Sequence, residues 1–149
     1  MRAVIQRVSS ARVVIDGQEH SRIGPGLLVL VGVEKDDTPE DAATLARRIV
    51  ELRIFEDEAG KMNRSISETG GQILAVSQFT LLGDCRRGRR PSFDPAAPPD
   101  LARSLYQKFV DEIEALRVQT ATGVFQAMMD VELTNQGPVT FILDSRKRF

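Results

Sequence analysis

GQILAVSQFTLLGDCRRGRR, Gly71 to Arg90, changes character three times within twenty residues. Ile73-Leu74-Ala75-Val76 is a short apolar run of the kind that forms a strand buried on both faces. It gives way at Ser77-Gln78-Phe79-Thr80 to two hydroxyls and an amide beside an aromatic ring. Gly83-Asp84 then turns the chain, and Arg86, Arg87, Arg89 and Arg90 follow. A core strand ending in polar groups beside a cationic loop suits an anionic substrate that bears a carbonyl. The same residues also fit a buried strand followed by a solvated loop.

Upstream, residues 2–15 are rich in Val and Ile with partial alternation, which predicts a strand with a possible bulge at Ser9-Ser10. Asp16-Gly17 is a hairpin signal, with Gln18–Ile23 as the return strand. Gly24-Pro25-Gly26 turns into Leu27–Val33, a second buried apolar strand. At Thr38-Pro39-Glu40-Asp41 a helix is expected: a threonine cap, proline in the first turn, then acids. Ala42, Leu45, Ile49 and Leu52 give that helix one apolar face. Ile54-Phe55 reads as a brief strand, and Glu56–Gly71 as a polar loop.

Downstream, the proline-rich Pro91–Pro99 leads to a second helix whose buried stripe is Leu101, Leu105, Phe109, Ile113 and Leu116. Val118–Thr122, Asp130–Thr134 and Val139–Leu143 complete the strands, the last two expected to face each other across Asn135-Gln136-Gly137-Pro138. There are no repeats and no interdomain linker. Short strands with two amphipathic helices predict a single α+β domain spanning residues 1–149.

Composition narrows the chemistry. At 149 residues with 42% apolar content the chain suits one core. Its formal charge of −1 provides no global basic field, so any nucleic-acid contact has to be local. Cys85 is the one cysteine and His20 the one histidine. A disulfide framework and a multi-histidine metal site are therefore excluded, no metal-ligand spacing is present, and no cofactor is called for. The polar N-terminus and the lack of a long apolar run predict a cytoplasmic protein with no membrane partner.

The motifs carry a resemblance. SQFTL at Ser77–Leu81, GD-x-RRGRRPSF after it and NQGPVT at Asn135–Thr140 resemble the D-aminoacyl-tRNA deacylase family. The likeness extends to MRAVIQRVSSARV at the start, IGPGLLVLVGV at 23–33, LRIFEDEAGKMNRS at 52–65 and LDS at 143–145. Leu82 stands where a tyrosine is frequent in that family. The resemblance implies a partly barrel-like, mainly antiparallel sheet, an obligate homodimer, and hydrolysis of the ester that joins a D-amino acid to the terminal ribose of tRNA.

It also assigns roles. Ser77, Gln78, Phe79 and Thr80 would form the catalytic half, with Ser77 and Gln78 holding the terminal adenosine and Phe79 packing near it. Gly137 and Pro138 would form a loop with a cis bond that reaches into the partner subunit's site, and its carbonyls would address the substrate's α-amino group. L side chains would collide with that loop, whereas D-aminoacyl and glycyl esters would not. Arg7 would brace the loop, a task its guanidinium fork suits, although a strand arginine is commonly just a solvated charge. Arg86, Arg87, Arg89 and Arg90 would contact tRNA phosphates, which carry affinity without base specificity.

Because an aminoacyl ester is reactive, positioning and an oxyanion hole suffice for its hydrolysis. Backbone N–H groups at Phe79 and Thr80 are the candidate donors, since a strand's end frees its amides. No base is evident for the Thr80 hydroxyl, which favours a positioning role over a nucleophilic one. The tRNA's own 2′-hydroxyl is then implied in activating water. Two other readings compete: a serine/threonine esterase acting through Thr80 or Ser77, and a catalytically silent tRNA-binding module. Cys85 reads as a bystander and His20 as a surface strand residue.

Overall fold

The first strand, β1 (Arg2–Ile15), is the spine of the molecule because its length lets it pair with three others. The computed structural model describes residues 1–149. Asp16 and Gly17 both take positive φ, 50° and 77°, and return the chain into β2 (Gln18–Ile23). β2 pairs with the second half of β1, and β3 (Gly26–Gly32) pairs antiparallel with the first half. This hairpin and its return strand fall where the sequence placed them.

Thr38 caps α1 (Pro39–Glu51) through a reciprocal capping box with Asp41, and Pro39 fits the first turn because no intrahelical N–H is needed there. Phe55–Glu56 (β4) and Met62–Arg64 (β5) form a small antiparallel ribbon, followed by the one-turn helix α2 (Ile66–Thr69). The stretch expected to be plain loop thus holds two short elements. β6 (Gln72–Ser77) lies parallel to β3, and β7 (Thr120–Thr122) lies parallel to β6. Between them comes α3 (Pro99–Ala115).

The last strand, β8 (Asp130–Asp144), corrects an expectation. Its two halves do not face each other; both pair antiparallel with β1 in one continuous run. Val8 stands opposite Asn135 and Gln6 opposite Thr140, so residues 136–139 bulge out opposite Arg7. The Asn135 side chain closes this bulge by donating to the carbonyls of Arg7 (2.9 Å) and Val139 (3.0 Å). The result is a mixed sheet, mainly antiparallel, curled into a nearly closed barrel.

α1 and α3 pack together over the sheet. Leu45 and Ile49 of α1, with Phe109 and Ile113 of α3, join Ile5, Leu27, Val29 and Ile73 in the main core. Truncating one such side chain, Leu45→Ala for instance, costs about 2–5 kcal/mol. A smaller core inside the curl holds Val8, Val13, Ile23, Leu28, Leu74 and Val76. The Met1 amino group is buried between Asp37 (2.6 Å) and Ser145 Oγ (2.7 Å), which ties the start of β1 to the end of β8. No helix is long and apolar enough to cross a membrane.

Candidate active site

β6 ends at Ser77, and the chain tightens at once into a single 3₁₀ turn, Phe79–Leu82. Gln78 anchors the entry by donating its N–H to the Val31 carbonyl at 2.7 Å. The first amide bonded within the turn is that of Leu81, which donates to the Gln78 carbonyl at 3.2 Å. The amides of Phe79 and Thr80 precede it and have no acceptor inside the turn. Gly32 lets this turn lie close on β3: a Cβ there would come within 3.1 Å of both the Gln78 carbonyl oxygen and Leu81 Cβ.

Ser77, Gln78 and Phe79 open onto a cavity of about 660 Å³. Val33, Val76, Phe125, Met128 and Met129 are among its other walls, and apolar residues dominate the lining. A cavity of a few hundred Å³ with few polar groups suits a small organic group such as a nucleoside. Phe79 is half exposed and meets Phe93 edge to face, ring centroids 5.0 Å apart. Thr80 is not among the walls; its hydroxyl accepts from the Gln78 side-chain amide. His20 is exposed on β2 and makes no hydrogen bond to this turn.

Sequence pattern does not mark the wall from Phe125 to Met129. Its residues lie in the connection from β7 to β8, where no helical or strand period marks them. The one available signal was an apolar run, Ala127-Met128-Met129, with no element to bury it.

Arg7 is 5% exposed and lies beneath the bulge of β8. A Cβ on Gly137 would fall 2.8 Å from Arg7 Nη2, and Gly137 has φ of 115°. Contrary to expectation, the guanidinium does not capture the loop's carbonyls; Nη1 donates to the Ile54 carbonyl at 2.7 Å, and Nη2 lies 3.7 Å from Glu56. Arg7 Nε is buried with no partner. The peptide between Gly137 and Pro138 is trans, not cis as expected. β8 resumes its pairing at Thr140, and the left-handed Gly137 supplies the local change of direction. The expected alignment of the two carbonyls does not follow from a trans bond.

The two expected halves are not adjacent within one chain. Along β3, Arg7 stands opposite Leu27 and Ser77 opposite Val31. Four residues of strand separate them by about 13 Å, and they lie on opposite sides of β3.

In the cationic loop, Asp84 and Ser92 form an isolated bridge that closes the base. Arg86 turns back on Asp84, with Nε and Nη2 at 2.8 and 2.7 Å from its carboxylate. Those hydrogen bonds hold the Asp84 carboxyl well below the usual carboxylate range and raise Arg86 in turn. Arg87, Arg89 and Arg90 are exposed and have no carboxylate partner.

Residues 4–144 match the family model described as D-Tyr-tRNA(Tyr) deacylase. This chain belongs to that family. The D-aminoacyl-tRNA deacylase of Geobacter sulfurreducens is 63% identical over 148 residues, covering 99% of this chain and 97% of that one. The enzyme of the same name from Desulfatibacillum aliphaticivorans is 59% identical over 146 residues, covering 98% and 100%. Among solved structures, the c-Myc DNA Unwinding Element Binding Protein superposes with a TM-score of 0.91 at 38% identity, covering 97% and 98% of the two chains. A probable eukaryotic D-amino acid tRNA deacylase gives 0.84 at 18% identity over 96% and 98%, which attests the shared fold.

Proposed function

We propose that this member of the deacylase family hydrolyses the ester bond of D-aminoacyl-tRNA, releasing free D-amino acid and tRNA, as chiral proofreading for translation. The observation that carries the reading is the cavity at the end of β6, walled by Ser77, Gln78 and Phe79 beside the two unbonded amides of the 3₁₀ turn. The terminal adenosine enters the apolar cavity, with Gln78 and Ser77 as its polar contacts. The scissile carbonyl then lies at the turn, where the Phe79 and Thr80 N–H groups receive the oxyanion. Thr80 positions rather than attacks, because its hydroxyl faces a neutral amide and no base. Water is activated with help from the ribose 2′-hydroxyl.

Selection for D-amino acids comes from the Gly137-Pro138 bulge of a second copy of the chain. Support for this lies in the separation of Arg7 and Ser77 along β3, which keeps a chain's own bulge away from its own cavity. It lies also in β8, which pairs only with β1 and leaves Leu133, Phe141 and Ile142 exposed on the surface. A homodimer that covers this strand brings a bulge to each cavity. Exclusion is steric, so glycyl-tRNA escapes it. Arg87, Arg89 and Arg90 hold the tRNA backbone.

The test is hydrolysis of matched D- and L-tyrosyl-tRNA by the purified protein. Release from the D-ester with the L-ester spared supports the reading; equal hydrolysis of both, or of neither, defeats it.

A further inference from the structure

Arg2 is far from the cavity in sequence, yet its side chain ends on the 3₁₀ turn. Nη1 donates to the Leu81 carbonyl at 3.0 Å. That carbonyl belongs to the last residue of the SQFTL motif and lies at the open end of the turn, where a helical segment leaves its acceptors unpaired. A cation there is also favoured by the turn's dipole. Nη2 reaches Glu34 Oε1 at 3.3 Å, and the other Glu34 oxygen receives Arg148 Nη2 at 2.6 Å. Arg148 is pinned in its turn by the fully buried Asp144, at 2.7 Å. The Phe149 ring lies 5.3 Å from the Arg2 guanidinium carbon. Arg2 Nε is buried without a partner, so the guanidinium is held by its two ends and by packing.

We propose that Arg2 is a positioning residue for the reaction: clamped by Glu34 and Arg148, it fixes the Leu81 carbonyl and thereby the aim of the Phe79 and Thr80 amides. The inference rests on the assignment of those amides as oxyanion donors. The turn is only four residues long and has two anchors, the Gln78 N–H on Val31 at its start and Arg2 on Leu81 at its end. Freeing one end lets the amides swing, and a donor misaimed by a fraction of an ångström loses its preference for the transition state. Substrate binding, which depends on the cavity and the arginine loop, is left in place.

The experiment compares the parent with Arg2→Met, which keeps the stem and removes the fork, and with Arg2→Lys, which restores a single donor. Amide hydrogen exchange is read for the peptide spanning residues 78–83, together with kcat and KM on D-tyrosyl-tRNA. In Arg2→Met, exchange in that peptide quickens about tenfold while the core strands keep their protection. Its kcat falls about tenfold with KM within about twofold of the parent, and Arg2→Lys recovers part of both. Unchanged exchange at 78–83, or a change confined to KM, overturns the proposal. A parent inert on D-tyrosyl-tRNA defeats the assigned reaction, and the exchange comparison still decides whether Arg2 fixes the turn. Where Arg2→Met fails to fold, Glu34→Gln, which loosens the clamp and leaves the Leu81 contact possible, carries the same comparison to the same two outcomes.

Discussion

Arg7 and Gly137 are matched by shape: the guanidinium occupies the space that any side chain at 137 would need. Gly137 answers two demands at once, a φ of 115° and contact with a buried arginine. Arg7 in turn is fixed by the Ile54 carbonyl, so it cannot easily withdraw. The bulge therefore rests on a rigid floor although it sits on the surface.

Gly137→Ala is expected to cost about 1–3 kcal/mol from backbone strain alone. In a chain of this size each kcal/mol lowers Tm by about 2–4 °C. The methyl also lifts the bulge outward, towards the substrate it screens, so that it obstructs the D-ester too and kcat/KM on D-tyrosyl-tRNA should fall about tenfold or more. Adding Arg7→Lys, which removes Nη2, should relieve part of the stability loss. A double-mutant cycle should thus give a coupling of at least about 0.5 kcal/mol, and strictly additive losses would contradict the contact.

Among the four arginines of the loop, pairing with Asp84 sets Arg86 apart. Arg87→Ala with Arg89→Ala should weaken tRNA binding and reduce the slope of log affinity against log salt by about one per lost phosphate contact. Arg86→Ala should leave that slope near the parent's, because its fork is already occupied by a carboxylate. The preference for D over L should survive both changes. Equal salt slopes for the parent and the double variant would leave the loop no part in tRNA binding.

Much of this architecture was legible because its signals are local. Asp16-Gly17 permits the positive φ of its turn, and Thr38 to Asp41 spell out a capping box. Asn135-Gln136-Gly137-Pro138 reads as a hairpin in sequence because a turn and a bulge draw on the same residue types. What separates them is the length of β1, fourteen residues, which pairs with both halves of β8 end to end. The Ser65 and Glu68 capping box of α2 has the right spacing in the sequence, but it sits inside a polar stretch where no apolar period points to a helix. The site divided the same way. The polar end of β6 could be read from its residues, whereas its wall at Phe125–Met129 and the hold of Arg2 on Leu81 depend on packing across the fold.

Tyr106 offers a probe of the core, since it is the only tyrosine and there is no tryptophan. Burial pushes its phenol up to about 12, and its hydroxyl donates to the Ala75 carbonyl at 2.9 Å. The unfolded phenol titrates near about 10. With the folded value raised, this stabilisation is complete below that pH and is lost as pH rises from about 10 towards 12, in total about 2–3 kcal/mol. Phenolate absorbance should therefore show a folded midpoint well above that of the unfolded chain. Tyr106→Phe should flatten the alkaline loss of stability. At neutral pH the same variant should lose only about 1 kcal/mol or less, because the Ala75 carbonyl keeps the Gly123 N–H at 3.1 Å.

The amide donors can be separated from the side chains around them. Phe79→Pro removes one N–H at a position that tolerates proline, since it opens the turn and Gln78 before it, with φ of −141° and ψ of 82°, lies outside the helical region. Phe79→Leu removes the ring and keeps the N–H. Loss of one oxyanion donor typically costs about a hundredfold to a thousandfold in kcat, so the proline variant should fall that far below the leucine variant. Thr80→Ala keeps both donors and should retain substantial activity. An inert but folded Thr80→Ala, together with an acyl group trapped on Thr80 of the parent, would replace the amide mechanism with a nucleophilic one.

The two halves of the site can be tested for belonging to different chains. Phe79→Pro disables the cavity side and leaves the bulge intact, whereas Gly137→Ala does the reverse. Each homodimer alone is then deficient at both of its sites. In a two-fold dimer that joins one chain of each kind, the Gly137→Ala subunit's cavity receives an intact bulge from the Phe79→Pro subunit. Random pairing makes half the dimers mixed, each with one sound site of two, so an equal mixture refolded together should recover about a quarter of the parent's activity. A bulge serving its own chain's cavity predicts no recovery, because every chain then carries one damaged half. The separation of Arg7 and Ser77 along β3 favours recovery. A mixture shown by mass spectrometry to contain mixed dimers, yet no more active than its components, would place the bulge back in its own chain's site.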